Sequence, residues 1–193
     1  LSRVPEGAKK KNNGFTIVPY VFNDGMPTIL DSFILNVWDR IEQDGLHRRI
    51  FFDGVVQCRE DFLQFVKENP SRVFFCFHEG LFLGVSWLTD VGFEPRAKIH
   101  HCVLKWAWGR LSLGAGLLVL DFIDSLMDSA GEPVFRVLVG ETPVENRLAC
   151  RFAKLLGFKE VGVIPQYLYN ARECRCMDAL ITYRLNPQVH EEE

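Results

Sequence analysis

The sequence predicts a single α/β domain built on a largely antiparallel sheet, and three observations carry that expectation. Strand-like and helix-like apolar patterns alternate along the chain, a three-strand meander spans residues 72–106, and a glycine-bearing turn, LSLGAG at 111–116, leads from a strand-like run into an apolar helix. Such a turn offers free backbone N–H groups at the positive end of a helix dipole, a geometry suited to a phosphate-bearing ligand. With 193 residues the chain can bury one substantial core and is short for two domains.

Each element has its own signal. FTIVPYVF at 15–22 reads as the first strand, and DSFILNVWDRI opens a helix at Asp31, an N-cap type. A second helix is expected in CREDFLQFVKEN from Cys58, where Phe62, Phe65 and Val66 recur at helical spacing. RVFFCFHEGLFLGVSWLT reads as an antiparallel hairpin turning at His78, Glu79 and Gly80, with AKIHHCVLKW as the third meander strand. After the glycine turn and its helix come a β-branched strand, PVFRVLVG from Pro133, and a helix, NRLACRFAKLLGF, opened by Asn146. KEVGVIPQYLY and CRCMDALITYRL close the chain as two further strands. Residues 1–14, including Lys9, Lys10 and Lys11, read as a mobile tail and 187–193 as a polar tail, which leaves 15–186 as the domain.

Composition narrows the function classes. The hydrophobic fraction of 48% and charged fraction of 24% are those of a folded globular chain. Twenty-two basic against 25 acidic side chains give a formal charge of -3, which argues against a nucleic-acid footprint or an anionic membrane surface. No stretch reaches the apolar length of a spanning helix and no secretory leader is read, so a cytoplasmic setting is expected. Cys58, Cys76, Cys102 and Cys150 lie in apolar patterns and read as core thiols. Cys174 and Cys176 share a strand face, but no second ligand pair completes a zinc site, and no metal is expected.

The order of strand, two helices, three meander strands, glycine turn and helix, strand, helix ending in Gly-Phe, and two strands resembles the GCN5-related N-acetyltransferase (GNAT) family over roughly residues 15–185. In that family the turn reads Gln or Arg, two residues, Gly, one residue, then Gly or Ala. Gly114 and Gly116 match both small positions, whereas Leu111 stands where Gln or Arg is usual, with Arg110 one position away. The Asn146 to Gly157 spacing matches the family's later helix, and that segment is most similar to phage-type and ribosomal-protein-acetylating members.

The resemblance implies a mixed, largely antiparallel sheet with helices on both faces, splayed between its fourth and fifth strands to admit acetyl-CoA as co-substrate. It places Arg110, Leu111, Ser112, Leu113, Gly114, Ala115 and Gly116 at the pyrophosphate, Leu104 and Trp106 at the pantetheine and carbonyl, and Asn146 beside the cofactor. The implied partner is an amine, a small molecule or a protein N-terminus; a homodimer is among the assembly states left open. Acetyl transfer needs a base for the amine and dipoles for the thioester carbonyl. Counting back from Gly114 puts His100 where histone-acetylating members carry a catalytic carboxylate, and histidine has a suitable pKa. Its alternative is a satisfied interior histidine, with His101 on the opposite strand face. Glu141, expected in the turn after the fifth strand, is a candidate base through water or a contact for a cationic acceptor, against the alternative of a solvated loop carboxylate. Ala153 stands where many members place a general-acid tyrosine, so Tyr167 or Tyr169 would have to serve. Trp106 and Trp108 read equally as core packing, and Asn146 as a plain N-cap. A catalytically weak binding or assembly module with the same fold is the alternative function. A doubly wound nucleotide-binding fold is disfavoured because its glycine loop follows the first strand.

Overall fold

The computed structural model describes residues 10–189. Its main sheet has eight strands in the order β1 (Lys10–Asn12), β2 (Phe15–Pro19), β5 (Val73–His78), β6 (Leu81–Thr89), β7 (Arg96–Val103), β8 (Val137–Pro143), β10 (Arg175–Leu185) and β9 (Lys159–Asn170). Two short strands, β3 (Phe22–Asn23) and β4 (Met26–Pro27), make a separate ribbon. The helices are α1 (Asp31–Gln43), α2 (His47–Ile50), α3 (Arg59–Glu68), α4 (Arg110–Asp124) and α5 (Arg147–Leu155).

Turn chemistry sets the first hairpins. Asn13 and Gly14 both adopt positive φ, 47° and 82°, and join β1 to β2 with Asn12 opposite Phe15. That pair of left-handed residues matches the twist of antiparallel strands. Glu79 and Gly80, at 50° and 82°, do the same between β5 and β6. Residues 10–14 are therefore a paired hairpin where a tail was expected, while the expectations for 1–9 and 190–193 lie outside the described residues.

Two apolar layers sandwich the sheet. On one face α1 buries Ile34, Val37, Trp38 and Ile41, the stripe its helical spacing predicts, with Phe62 and Val66 of α3 against Phe75, Val85 and Trp87. On the other, α4 and the end of α5 cover Ile17, Phe74, Leu83, Ile99 and Leu138. Cys76 and Cys102 are buried thiols, burial pushing Cys76 up to about 12 and Cys102 up as well. Cys58 is instead exposed at the start of α3, Cys150 is half-buried, and Cys174 lies in the turn before β10 rather than on a strand with Cys176.

The feature that positions the site is the parting of β7 from β8. All other neighbours in the main sheet run antiparallel, but these two are parallel and pair only at Arg96–Lys98 against Val137–Val139. Beyond Lys98 and Val139 the strands no longer pair, so the fourth and fifth strands of the expected order do splay. The mixed fold with helices on both faces is as expected. Among the described residues no helix is long and apolar enough to cross a membrane.

Candidate active site

Gly109 opens the site. It takes φ 96° and ψ -126°, a backbone that an L side chain rarely adopts, and from it α4 begins at Arg110. The first bond of the helix runs from the Leu113 N–H to the Gly109 carbonyl at 3.1 Å, so the N–H groups of Arg110, Leu111 and Ser112 have no acceptor within the helix. The Ser112 hydroxyl donates back to the Gly109 carbonyl at 2.9 Å and fixes the turn. No acidic side chain occupies the first turn, which leaves the positive end of the dipole open to an anion.

A second helix start faces the same space. Asn146 caps α5, its side-chain oxygen accepting from the Ala149 N–H at 3.3 Å. A cavity of about 500 Å³ lies between the two helix starts and the end of β7, lined by Gly109, Arg110, Ser112 and Leu113 from α4 and by Asn146, Leu148, Ala149, Arg151, Phe152 and Leu155 from α5. Leu46, Arg49 and Ile50 close it from the α2 segment, and Trp108 from the short 3-10 turn region. Most of its wall is apolar. Arg49, Arg110 and Arg151 have no carboxylate partner among the described residues, so three guanidinium groups from three elements line a largely apolar chamber. That arrangement suits an anionic head on an elongated, less polar stem.

The two histidines of β7 fall on opposite faces. His100 pairs with Trp87 across the strands, stacks on its ring at 5.2 Å and 9°, and meets the Thr89 hydroxyl at 2.8 Å through Nε2. It faces the α1–α3 layer and is not among the cavity's lining residues. Burial lowers its pKa below 6.5, and Lys98 adds to this, against the opposing carboxylates of Asp53, Glu141 and Asp90. His101 lies opposite Ser86, whose hydroxyl is 2.7 Å from Nδ1, and meets Phe152 edge to face in the cavity wall. Its Nε2 is buried without a partner, and burial, with the neighbouring His100, drives its pKa down to about 4.

Glu141 is not a loop carboxylate. It sits within β8 opposite Ile181, its side chain 13% exposed, with the Lys98 ammonium 2.8 Å from Oε1 and the Tyr167 hydroxyl donating to the same oxygen at 3.1 Å. Tyr167 thus reaches the gap between the strands. Tyr169 is exposed at 54%, and the Cys174 thiol beside it raises its pKa.

Several expected contacts fall elsewhere. The LSLGAG stretch is already helix rather than a turn, because the strand ends at Val103 and Gly109 starts α4. Gly114 and Gly116 serve close packing: a Cβ on Gly114 would lie 2.5 Å from the Phe15 ring, and one on Gly116 2.8 Å from Leu156. Neither lines the cavity, nor do Leu111 and Ala115. Leu104 is buried in the α1–α3 layer, and Trp106, in a 3-10 turn rather than on the strand, is 51% exposed and off the cavity. Trp108, also outside the core, donates its indole N–H to the Val103 carbonyl at 2.9 Å. Arg110, Ser112, Leu113 and Asn146 do line the chamber. Sequence reading missed Gly109, Arg49 and Arg151; the single glycine before an arginine was the one legible signal. Among the described residues no cluster could hold a metal.

No family model matches this sequence, and no curated protein matches it either. Solved structures do match. A GNAT-family acetyltransferase from Bacillus anthracis superposes with a TM-score of 0.71 at 14% identity, over 93% of this chain and 99% of that one. A Salmonella typhimurium acetyltransferase that modifies the N-terminal serine of ribosomal protein L7/L12 gives 0.70 at 14%, over 90% and 96%. The microcin C7 self-immunity acetyltransferase MccE, in complex with acetyl-CoA and AMP, gives 0.68 at 14%, over 90% and 93%. The chain has the GNAT fold.

Proposed function

We propose that this GNAT-fold chain is an N-acetyltransferase that takes acetyl-CoA as co-substrate and passes the acetyl group directly to a primary amine. The observation that carries this reading is the apolar chamber at the end of β7, with the open start of α4 and three arginines that have no carboxylate partner among the described residues in its wall. The phosphates of CoA would meet the N–H groups of Arg110 and Ser112 and the guanidinium groups of Arg49, Arg110 and Arg151. The pantetheine arm would follow the end of β7, past Trp108 and His101, toward the strand parting. Solved structures of this fold that hold acetyl-CoA support the choice of co-substrate.

In this reading His100 removes the proton from the acceptor amine, on the α1–α3 side of the parted strands. A lowered pKa keeps its imidazole neutral and able to accept that proton near pH 7. The amine nitrogen then attacks the thioester carbon, the carbon–sulfur bond breaks, and the remaining extra proton on nitrogen passes to the departing thiolate, which leaves amide and free thiol. Glu141 offers its carboxylate to the incoming ammonium. Acceptors such as protein N-termini are within reach of this chemistry, as the modification of a ribosomal-protein N-terminus by a protein of the same fold illustrates.

Calorimetry with acetyl-CoA and a thiol-release assay on amines and free-N-terminus peptides test the proposal. Binding should weaken in Arg110→Ala and Arg151→Ala, while His100→Ala should slow transfer by about 10²-fold with affinity retained. No binding at millimolar acetyl-CoA would sink the proposal. Ala153, apolar where a tyrosine would supply a proton, favours a second reading, a binding module without turnover. Tight binding with no thiol release on any acceptor would select it.

A further inference from the structure

The last paired residues of β7 and β8 carry an ion pair across the point where the strands part. Lys98 is opposite Val139 in the final rung, and its ammonium reaches forward 2.8 Å to Oε1 of Glu141, the second residue beyond that rung, and 2.9 Å to Asp90 in the loop entering β7. From β9 the Tyr167 hydroxyl donates to the same Glu141 oxygen at 3.1 Å. Side chains from four pieces of the site are thereby tied together: the β6–β7 loop, β7, β8 and, from across β10, β9.

Both members of the central pair are largely withdrawn from water, Lys98 at 28% and Glu141 at 13% exposure. A half-buried pair of this kind adds little net stability over two apolar side chains of similar volume, because desolvation offsets the Coulomb gain. What it does supply is position. At this place the backbone ladder between β7 and β8 ends, each strand being held from there on only by its outer neighbour, β6 or β10, and the Lys98–Glu141 pair bridges the two diverging strands. The next residue on the same face of β7 is His100, which also faces Trp87, Thr89, Asp53 and Asp90.

We infer that Lys98 is a positioning residue: it pins the Glu141 carboxylate at the strand parting and so sets the charge that His100 faces. The inference deepens the acetyltransferase reading and rests on it for its catalytic meaning. The clamp itself is a property of the free protein. With Oε1 held by Lys98 and Tyr167, the other oxygen of Glu141 is the one left for an acceptor ammonium.

The test is a proton NMR titration of the imidazoles in the whole protein, with His100 assigned through His100→Gln. In the native chain burial should hold the His100 midpoint below the ordinary histidine value. Lys98→Met removes a positive neighbour and should move the midpoint upward; Glu141→Gln removes a negative one and should move it downward. Because the two groups act as a unit, the Lys98→Met shift should change in size in the Glu141→Gln background. Lys98→Arg, which keeps the charge, should fold and hold the midpoint near the native value. The same Lys98→Met shift in both backgrounds overturns the clamp. If Lys98→Met does not fold, Lys98→Gln takes its place in the same two backgrounds, and an equal shift in both overturns the clamp. Failure of acetyl-CoA to bind the native chain would instead count against the acetyltransferase reading and leave the clamp standing.

Discussion

Gly109 and His101 show how single residues shape the chamber. Only glycine settles readily at φ 96°, and that conformation turns the chain so that three N–H groups of α4 point out of the helix start. His101 works through burial. Its folded pKa near 4 lies below its unfolded value of about 6.5, so the neutral ring favours the fold. That stability is complete above pH 6.5 and is lost as the pH falls toward 4, because the unfolded chain takes up the proton first. The loss should reach about 3 kcal/mol for this residue. Urea titrations at intervals from pH 7 to 4 should show a steeper fall for the native chain than for His101→Gln; equal slopes would show that the ring is not held neutral.

At the level of elements, the far end of α4 is anchored as firmly as its start is open. Asp124, the last residue of the helix, takes a two-pronged contact from Arg184 of β10 at 2.9 and 2.7 Å, with side chains 7% and 18% exposed. Asn186 adds donations to the carbonyls of Asp124 and Phe135. An aspartate at a helix C-terminus opposes the dipole, so the arginine is what makes it tolerable. Arg184→Leu should cost roughly 3–5 kcal/mol in chemical unfolding because it strands a buried carboxylate, and adding Asp124→Leu should recover much of that. A double variant as unstable as the single one would contradict the pairing. Along the same helix the expected phosphate glycines proved to be packing glycines. Their spacing was legible, but which face of α4 they occupy depends on Phe15 and Leu156, from distant parts of the chain.

For the whole molecule the decisive event is that two parallel strands pair for three residues and then separate. If acetyl-CoA fills the gap, hydrogen–deuterium exchange should slow in peptides covering 99–103 and 140–143 on its addition, and remain unchanged at 137–139. Uniform protection, or none, would place the ligand elsewhere. Much of this architecture was written in local patterns. Apolar residues at helical spacing marked α1 and α3, alternation and the Glu79–Gly80 turn marked the meander, and Asn146 announced α5 as its cap. Such signals involve neighbours within a few positions, and the chain carries them before it folds. The site is of another kind. Arg49, Arg110 and Arg151 line one chamber, Lys98 finds Glu141, and Trp106 is left in water because separate elements arrive with a particular register and crossing. No spacing along the chain encodes those meetings, so only the packed structure could decide them.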